Sequence, residues 1–145
     1  MTQIDFYILP EQTIEQRNQF ACRLVEKAFR LGHSIYIHSH SIEHAKQLDQ
    51  FLWNYRASSF LPHQDLSAPT NPRSNSPIEI GYEEAPKHQH DVLINLGMEI
   101  PNFFSRFQRV SEIVVTDPEV TSATRKNYKF YKDRGYPLNS HDMRK

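Results

Sequence analysis

Short unbroken apolar runs alternate along the chain with longer stretches of helical spacing. Ile4–Leu9 (IDFYIL) is rich in β-branched and aromatic residues and is stopped by Pro10, which predicts a buried strand. Thr13 followed by Gln16 has the form of a capping box. Beyond it Ala21, Leu24, Val25, Ala28 and Leu31 recur on one helical face. Arg17, Arg23, Lys27 and Arg30 fall largely elsewhere, and Gly32 is placed to close the helix. Ser34–His38 (SIYIH) predicts a second strand. Ser41 is placed to cap a second helix with an apolar face of Ile42, Ala45, Leu48 and Leu52, ending at Trp53.

Ser67–Pro77 is a loop by composition, with three prolines. Ile78–Tyr82 and Asp91–Leu96 predict two more strands. Pro101–Phe107 suits a short helix with proline in its first turn, and Glu112–Thr116 (EIVVT) suits another buried strand. A last helix is expected from Pro118 to Arg134, closed by Gly135. Strands alternating with helices argue for a parallel sheet covered by helices. The expected fold is α/β, a three-layer α/β/α domain with a mainly parallel, doubly wound central sheet, spanning residues 1–145 as one domain.

Composition adds exclusions. With 38% hydrophobic and 23% charged residues the chain is globular in character rather than disordered. Its formal net charge of zero argues against whole-surface electrostatic binding of nucleic acid or membrane. A lone cysteine, Cys22, allows no disulfide within the chain, which fits a reducing compartment. No signal peptide is evident, and no stretch approaches the roughly 18 apolar residues of a membrane span. A soluble, cytoplasmic protein is expected.

Catalytic chemistry is hard to find. Nucleotide-binding α/β domains need glycines where backbone amides approach phosphate. The four glycines, Gly32, Gly81, Gly97 and Gly135, belong to no such motif, and the first strand runs into Pro10-Glu11-Gln12. His40-Ser41-Ile42-Glu43-His44 matches H-x-x-E-H, a zinc hydrolase pattern that needs both histidines on one continuous helix. A helix starting at Ser41 leaves His40 outside it, so exposed histidines at a helix start are the simpler reading. His38, His88 and His90 would make a metal site only if the fold gathered them. Cys22 lies beside an apolar helix face and reads as structural. No nucleophile elbow is present. The expectation is no catalytic residue, no cofactor and no metal.

Two features stand out instead. From Thr121 to Lys145 there are seven basic residues against Asp133 and Asp142, so a neutral protein carries +5 on its last 25 residues. Arg125, Lys129 and Lys132 fall at i, i+4 and i+7, one face of the last helix, while Val120, Ala123, Tyr128 and Tyr131 lie toward another that can pack on the sheet. Such a stripe beside aromatics suits an acidic peptide with an apolar anchor. A solvated helix face suits the same spacing, and spacing alone does not choose. The second feature is Trp53–Pro62 (WNYRASSFLP), where Trp53, Tyr55, Phe60, Leu61 and Pro62 concentrate after a helix. They suit an interface anchor, although Phe60 and Leu61 equally suit a short core strand.

Quoted in order, a series of segments resembles the chi subunit family of the bacterial DNA polymerase III holoenzyme. The segments are Asp5-Phe6-Tyr7-Ile8-Leu9, Ala21-Cys22-Arg23-Leu24, Leu48 to Trp53, Ser59-Phe60-Leu61-Pro62-His63, Pro77-Ile78-Glu79-Ile80, Asp91 to Leu96, and Arg125 to Asn139. Together they cover nearly the whole chain. The resemblance implies a non-catalytic accessory subunit, a component of a DNA-directed DNA polymerase, a nucleotidyltransferase, that serves DNA replication. It implies pairing with the psi subunit of the clamp loader through Trp53, Phe60, Leu61 and Pro62. It also implies binding of the acidic C-terminal tail of single-stranded DNA-binding protein, which ends in phenylalanine, through Arg125, Tyr128, Lys129 and Lys132. DNA would then be contacted indirectly. One departure touches that site: the segment Asp117–Thr124 is shorter, and a lysine one turn before the arginine is replaced near Thr121, leaving Lys126 or Lys132 to compensate. The alternatives are a direct single-stranded nucleic-acid-binding module with Tyr128 and Tyr131 as stacking platforms, and a zinc-dependent hydrolase through His40, Glu43 and His44.

Overall fold

The structure is a computed structural model that describes residues 2–54, 63–65, 77–83 and 85–144. Strand β1 (Gln3–Ile8) leads to helix α1 (Ile14–Arg30), strand β2 (Ile35–His38) and helix α2 (Ile42–Asn54). Strands β3 (His63–Asp65), β4 (Ile78–Gly81), β5 (Val92–Asn95) and β6 (Arg109–Val114) follow, with a 3-10 turn at Phe104–Arg106 before β6. Helix α3 (Pro118–Asp133) and strand β7 (Leu138–Asp142) complete the order.

Among the described residues the sheet has seven strands in the order β3-β4-β2-β5-β6-β1-β7, every pair parallel. The core has two faces. On one, α1 and α2 bury Phe20, Ala21, Cys22, Val25, Ala45, Leu48 and Leu52 against Ile35, Ile37, Ile80 and Ile94. On the other, Tyr131 of α3 and the aromatic segment Phe103, Phe104 and Phe107 cover Ile4, Phe6, Leu93 and Val110. The layering is therefore α/β/α.

Local sequence explains the helix ends. Thr13 Oγ1 accepts from the Gln16 amide at 3.2 Å, Ser41 Oγ from the His44 amide at 3.1 Å, and Asp117 Oδ1 from Glu119 and Val120. Each satisfies an amide that the first helical turn leaves without a partner. Gly32 and Gly135, both at positive φ, terminate α1 and α3.

The strand expected at Glu112–Thr116 starts three residues earlier, at Arg109. Exposed Arg109 and the polar side chains of Ser111 and Glu112 conceal its first half. Strands β3 and β7 carry no apolar alternation and were not expected; β7 (LNSHD) is an almost fully exposed edge held by its ladder to β1. Leu31, placed by spacing on the buried face, is instead the residue after α1 and is 67% exposed. The loop expected at Ser67–Pro77 lies, apart from Pro77, outside the described residues.

Arg17 departs furthest from expectation. Counted among the polar positions of α1, it is 3% exposed. Its Nε donates to the Ile113 carbonyl at 2.9 Å and its Nη1 to the Leu96 carbonyl at 3.0 Å. The connections β1–α1–β2 and β6–α3–β7 leave the adjacent strands β1 and β6 toward opposite edges of the sheet, so this is the switch point where α/β domains open a ligand crevice. Beside it, the Arg17 guanidinium lies at the carboxyl ends of β5 and β6. Past their ends β1 and β6 stay paired through Leu9 N to Val114 O and Thr116 N to Glu11 O.

Candidate functional site

Helix α3 lies on the sheet through Val120, Asn127 and Tyr131, spaced so that one stripe faces the core. Beneath it stands Glu112, a carboxylate 3% exposed in the middle of β6. It accepts from Asn95 Nδ2 at 2.9 Å, Tyr131 Oη at 3.0 Å and Asn127 Nδ2 at 3.3 Å. Burial pushes the Glu112 carboxyl above its ordinary value, while the three donors and the Arg17 charge pull the other way. Burial and this carboxylate raise the Tyr131 phenol. The network ties α3 to β5 and β6, so the helix surface is presented on a fixed base.

On the solvent side, Arg125, Lys126, Lys129 and Lys132 are all exposed. Lys129 Nζ lies 3.3 Å from Asp133, a pair so exposed that it holds the side chain weakly. Arg125 and Lys132 make no ion pair among the described residues. Tyr128 is 39% exposed, and its ring packs on Phe6 of β1 at 5.3 Å between centroids. By helical spacing Thr121, Arg125, Tyr128 and Lys132 share one flank, with Lys129 one turn from Arg125. The structure thus brings Arg125, Tyr128, Lys129 and Lys132 together as a cationic row beside an aromatic ring rooted in the core. Lys126 falls on the opposite flank and lines a different groove with Phe130, Ala123, Met98 and Ile100.

Tyr131 is not part of the exposed row. It is fully buried with its hydroxyl on Glu112, which removes it as a stacking platform for a nucleic-acid base. Sequence reasoning missed Glu112, Asn95 and Asn127. The available signal was the i, i+4 spacing of Asn127 and Tyr131 on the core stripe of α3, with Glu112 standing at the head of an apolar run.

The second expected surface is described only in part. Trp53 lies in the last turn of α2. Its side chain, and Phe60, Leu61 and Pro62, fall outside the described residues. They precede β3, the edge strand next to β4.

The H-x-x-E-H match does not form a helical zinc pair. Helix α2 begins at Ile42, which leaves His40 outside it, and the His40 amide donates to His44 Nδ1 at 3.4 Å. The two rings stack at 4.2 Å. Burial holds the His44 imidazole down at about 4. The other histidines are not gathered: His88 bonds Glu79 at 2.6 Å, His90 bonds Asp91 at 3.1 Å, and His38 packs against Tyr36 and Phe103. Cys22 is buried, with its thiol pushed up to about 12.

Comparison with known proteins agrees across the whole chain. The family model described as DNA polymerase III chi subunit, HolC, matches residues 1–139. The chain is 39% identical over 143 residues to the DNA polymerase III subunit chi of Pseudomonas aeruginosa, covering 99% of this chain and 98% of that one. It is 30% identical over 139 residues to the subunit chi of Haemophilus influenzae, covering 95% of each. With the subunit chi of Escherichia coli it shares 28% over 145 residues and 97% of each chain.

Proposed function

The chain belongs to the DNA polymerase III chi subunit family, and from that premise we propose that it is a non-catalytic accessory subunit joining two protein partners. One is the psi subunit of the clamp loader, met by Trp53, Phe60, Leu61 and Pro62. The other is the acidic C-terminal tail of single-stranded DNA-binding protein, met by Arg125, Tyr128, Lys129 and Lys132. In this reading residues 1–145 act as one domain, DNA is reached through the coating protein, and neither metal nor cofactor takes part. The protein works in the cytosol; no described helix is long and apolar enough to cross a membrane.

The observation that carries the reading is the row on α3. Arg125 offers a planar fork for a carboxylate, and Lys129 and Lys132 add positive charge along the same face. The half-exposed Tyr128 ring on Phe6 supplies an apolar contact for a terminal phenylalanine. The neutral whole and the uneven distribution of charge fit a local contact with an acidic segment better than a general attraction to nucleic acid.

The test is a fluorescence-anisotropy titration with a labelled acidic peptide ending in phenylalanine and a free carboxylate, beside the same peptide without the phenylalanine. Saturable binding that requires the phenylalanine and weakens with salt is expected. Equal binding of both peptides, or none, overturns the tail contact. Bare single-stranded oligonucleotide at two salt concentrations is the third arm, because direct DNA binding carries a steep salt dependence of its own. The psi contact is tested separately: Trp53→Ala is expected to disrupt co-purification with psi, and an intact complex overturns that assignment.

A further inference from the structure

We propose that the groove between α3 and the segment Met98–Ile100 is a second docking site, shaped for a partner segment that presents an apolar side chain next to a basic residue. The proposal is independent of the tail contact, since the groove opens on the flank of α3 opposite Arg125 and Tyr128.

The groove is broadly open to solvent, with a volume of about 720 Å³. Its walls are Met98, Ile100, Ala123 and Phe130, all half-buried. Phe130 has two ring contacts. Its ring packs edge-on against Phe104 at 5.7 Å, and the Arg134 guanidinium lies 3.7 Å from its centroid.

The opposite wall is fixed as firmly. Asn95 Nδ2 donates to the Glu99 carbonyl at 3.1 Å, Asn95 Oδ1 accepts from the Gly97 amide at 3.1 Å, and Asn127 Nδ2 reaches the Met98 carbonyl at 3.5 Å. Both amides also bond the buried Glu112. A carboxylate in the core is costly relative to an apolar side chain. What this one secures is the position of the 97–99 segment against α3, which is the width of the groove.

Charge selects the occupant. Glu99 and Glu119 line the groove, are exposed, and form no ion pair among the described residues. Lys126 is the one cation in the lining. Two carboxylates against one ammonium leave the lining with one net negative charge, opposite in sign to the row across the helix, while the Arg134 guanidinium covers Phe130. A cation beside an apolar anchor complements it, whereas an acidic segment is repelled by the two carboxylates.

The experiment is an NMR titration of the isotope-labelled full chain with N-acetyl-Leu-Arg-amide and, separately, N-acetyl-Leu-Glu-amide. The arginine peptide is expected to shift Met98, Ala123 and Phe130 resonances and to bind at least about threefold more tightly, the scale that one or two exposed ion pairs supply. Ala123→Trp is expected to abolish those shifts by filling the groove. The exposed double change Glu99→Lys with Glu119→Lys is expected to reverse the preference. Absence of shifts at those residues, equal affinity for the two peptides, or a preference that survives the charge reversal overturns the proposal.

Discussion

Replacing Tyr131 with phenylalanine removes one oxygen from a closed space and little else. The hydroxyl donates to Glu112 Oε2 at 3.0 Å, the ring is fully buried, and the aromatic contacts with Phe6, Phe104 and Tyr136 do not need the oxygen. Hydrogen bonds to charged groups contribute about 1.5–3 kcal/mol, and water cannot replace this one. Glu112 keeps Asn95 and Asn127 as donors, so the expected loss for Tyr131→Phe is near the middle of that range, about 2 kcal/mol. For a chain of this size that corresponds to roughly 4–8 °C in Tm. Urea denaturation followed by fluorescence reads the loss as a lower midpoint with an unchanged slope.

The pH dependence sharpens the test. Tyr131 stabilises the ionised form of Glu112 and so lowers its pKa. Without the hydroxyl the folded-state pKa, already above the ordinary 4.5, rises further. A carboxyl whose pKa is raised on folding binds its proton more tightly in the folded state, so its contribution to stability falls as pH rises from the ordinary value through the folded one. The penalty of Tyr131→Phe must therefore be small in acid and grow only as pH rises beyond the wild-type folded value toward the higher folded value of the variant. A penalty below about 0.5 kcal/mol, the level of a neutral surface change, would refute the network. So would a penalty that is larger in acid.

Three further outcomes follow from the helix ends and the core. Asp117→Ala removes the acceptor for the Glu119 and Val120 amides and is expected to cost about 1 kcal/mol by denaturant melt. Gly135→Ala meets no atom within 4 Å, so its cost is the positive φ alone, about 1–2 kcal/mol by the same melt. Cys22, buried with its thiol pushed up to about 12, is expected to resist iodoacetamide at pH 8 in the folded protein and to react once urea unfolds it. Rapid labelling of the native protein would contradict its placement in the core.

The parts of the fold legible in the sequence are those where residue chemistry and local geometry coincide. Thr13 and Ser41 mark helix starts because their side chains accept the free amides of a first turn, and Gly32 and Gly135 mark ends because they adopt positive φ. Strands β1, β2, β4 and β5 are buried enough to read as apolar runs. The start of β6 and all of β7 are hidden because polar side chains there are stabilised by long-range partners or by an edge ladder, which no local pattern records. Arg17 reads as a solvated helix residue for the same reason: its partners, the carbonyls of Leu96 and Ile113, are 79 and 96 positions away. The cationic row was legible because i, i+4, i+7 spacing survives on any helix. The distinction between its flank and that of Lys126 depends on which way α3 is rolled on the sheet, and this is decided by Asn127 and Tyr131 reaching Glu112.

That roll is what the central claim rests on, and comparing Arg125→Ala with Lys126→Ala tests it most directly. The two residues are adjacent in sequence, equally charged and both exposed, so folding and net charge change alike. Titrated with the phenylalanine-ended acidic peptide, Arg125→Ala is expected to weaken binding about 10–100-fold, the loss of a charge-assisted contact. Lys126→Ala, on the other flank, is expected to change it by less than about threefold, as for a distant exposed charge. Equal effects would reduce the row to a diffuse field, and a larger effect at Lys126 would move the tail to the other side of the helix and contradict the account.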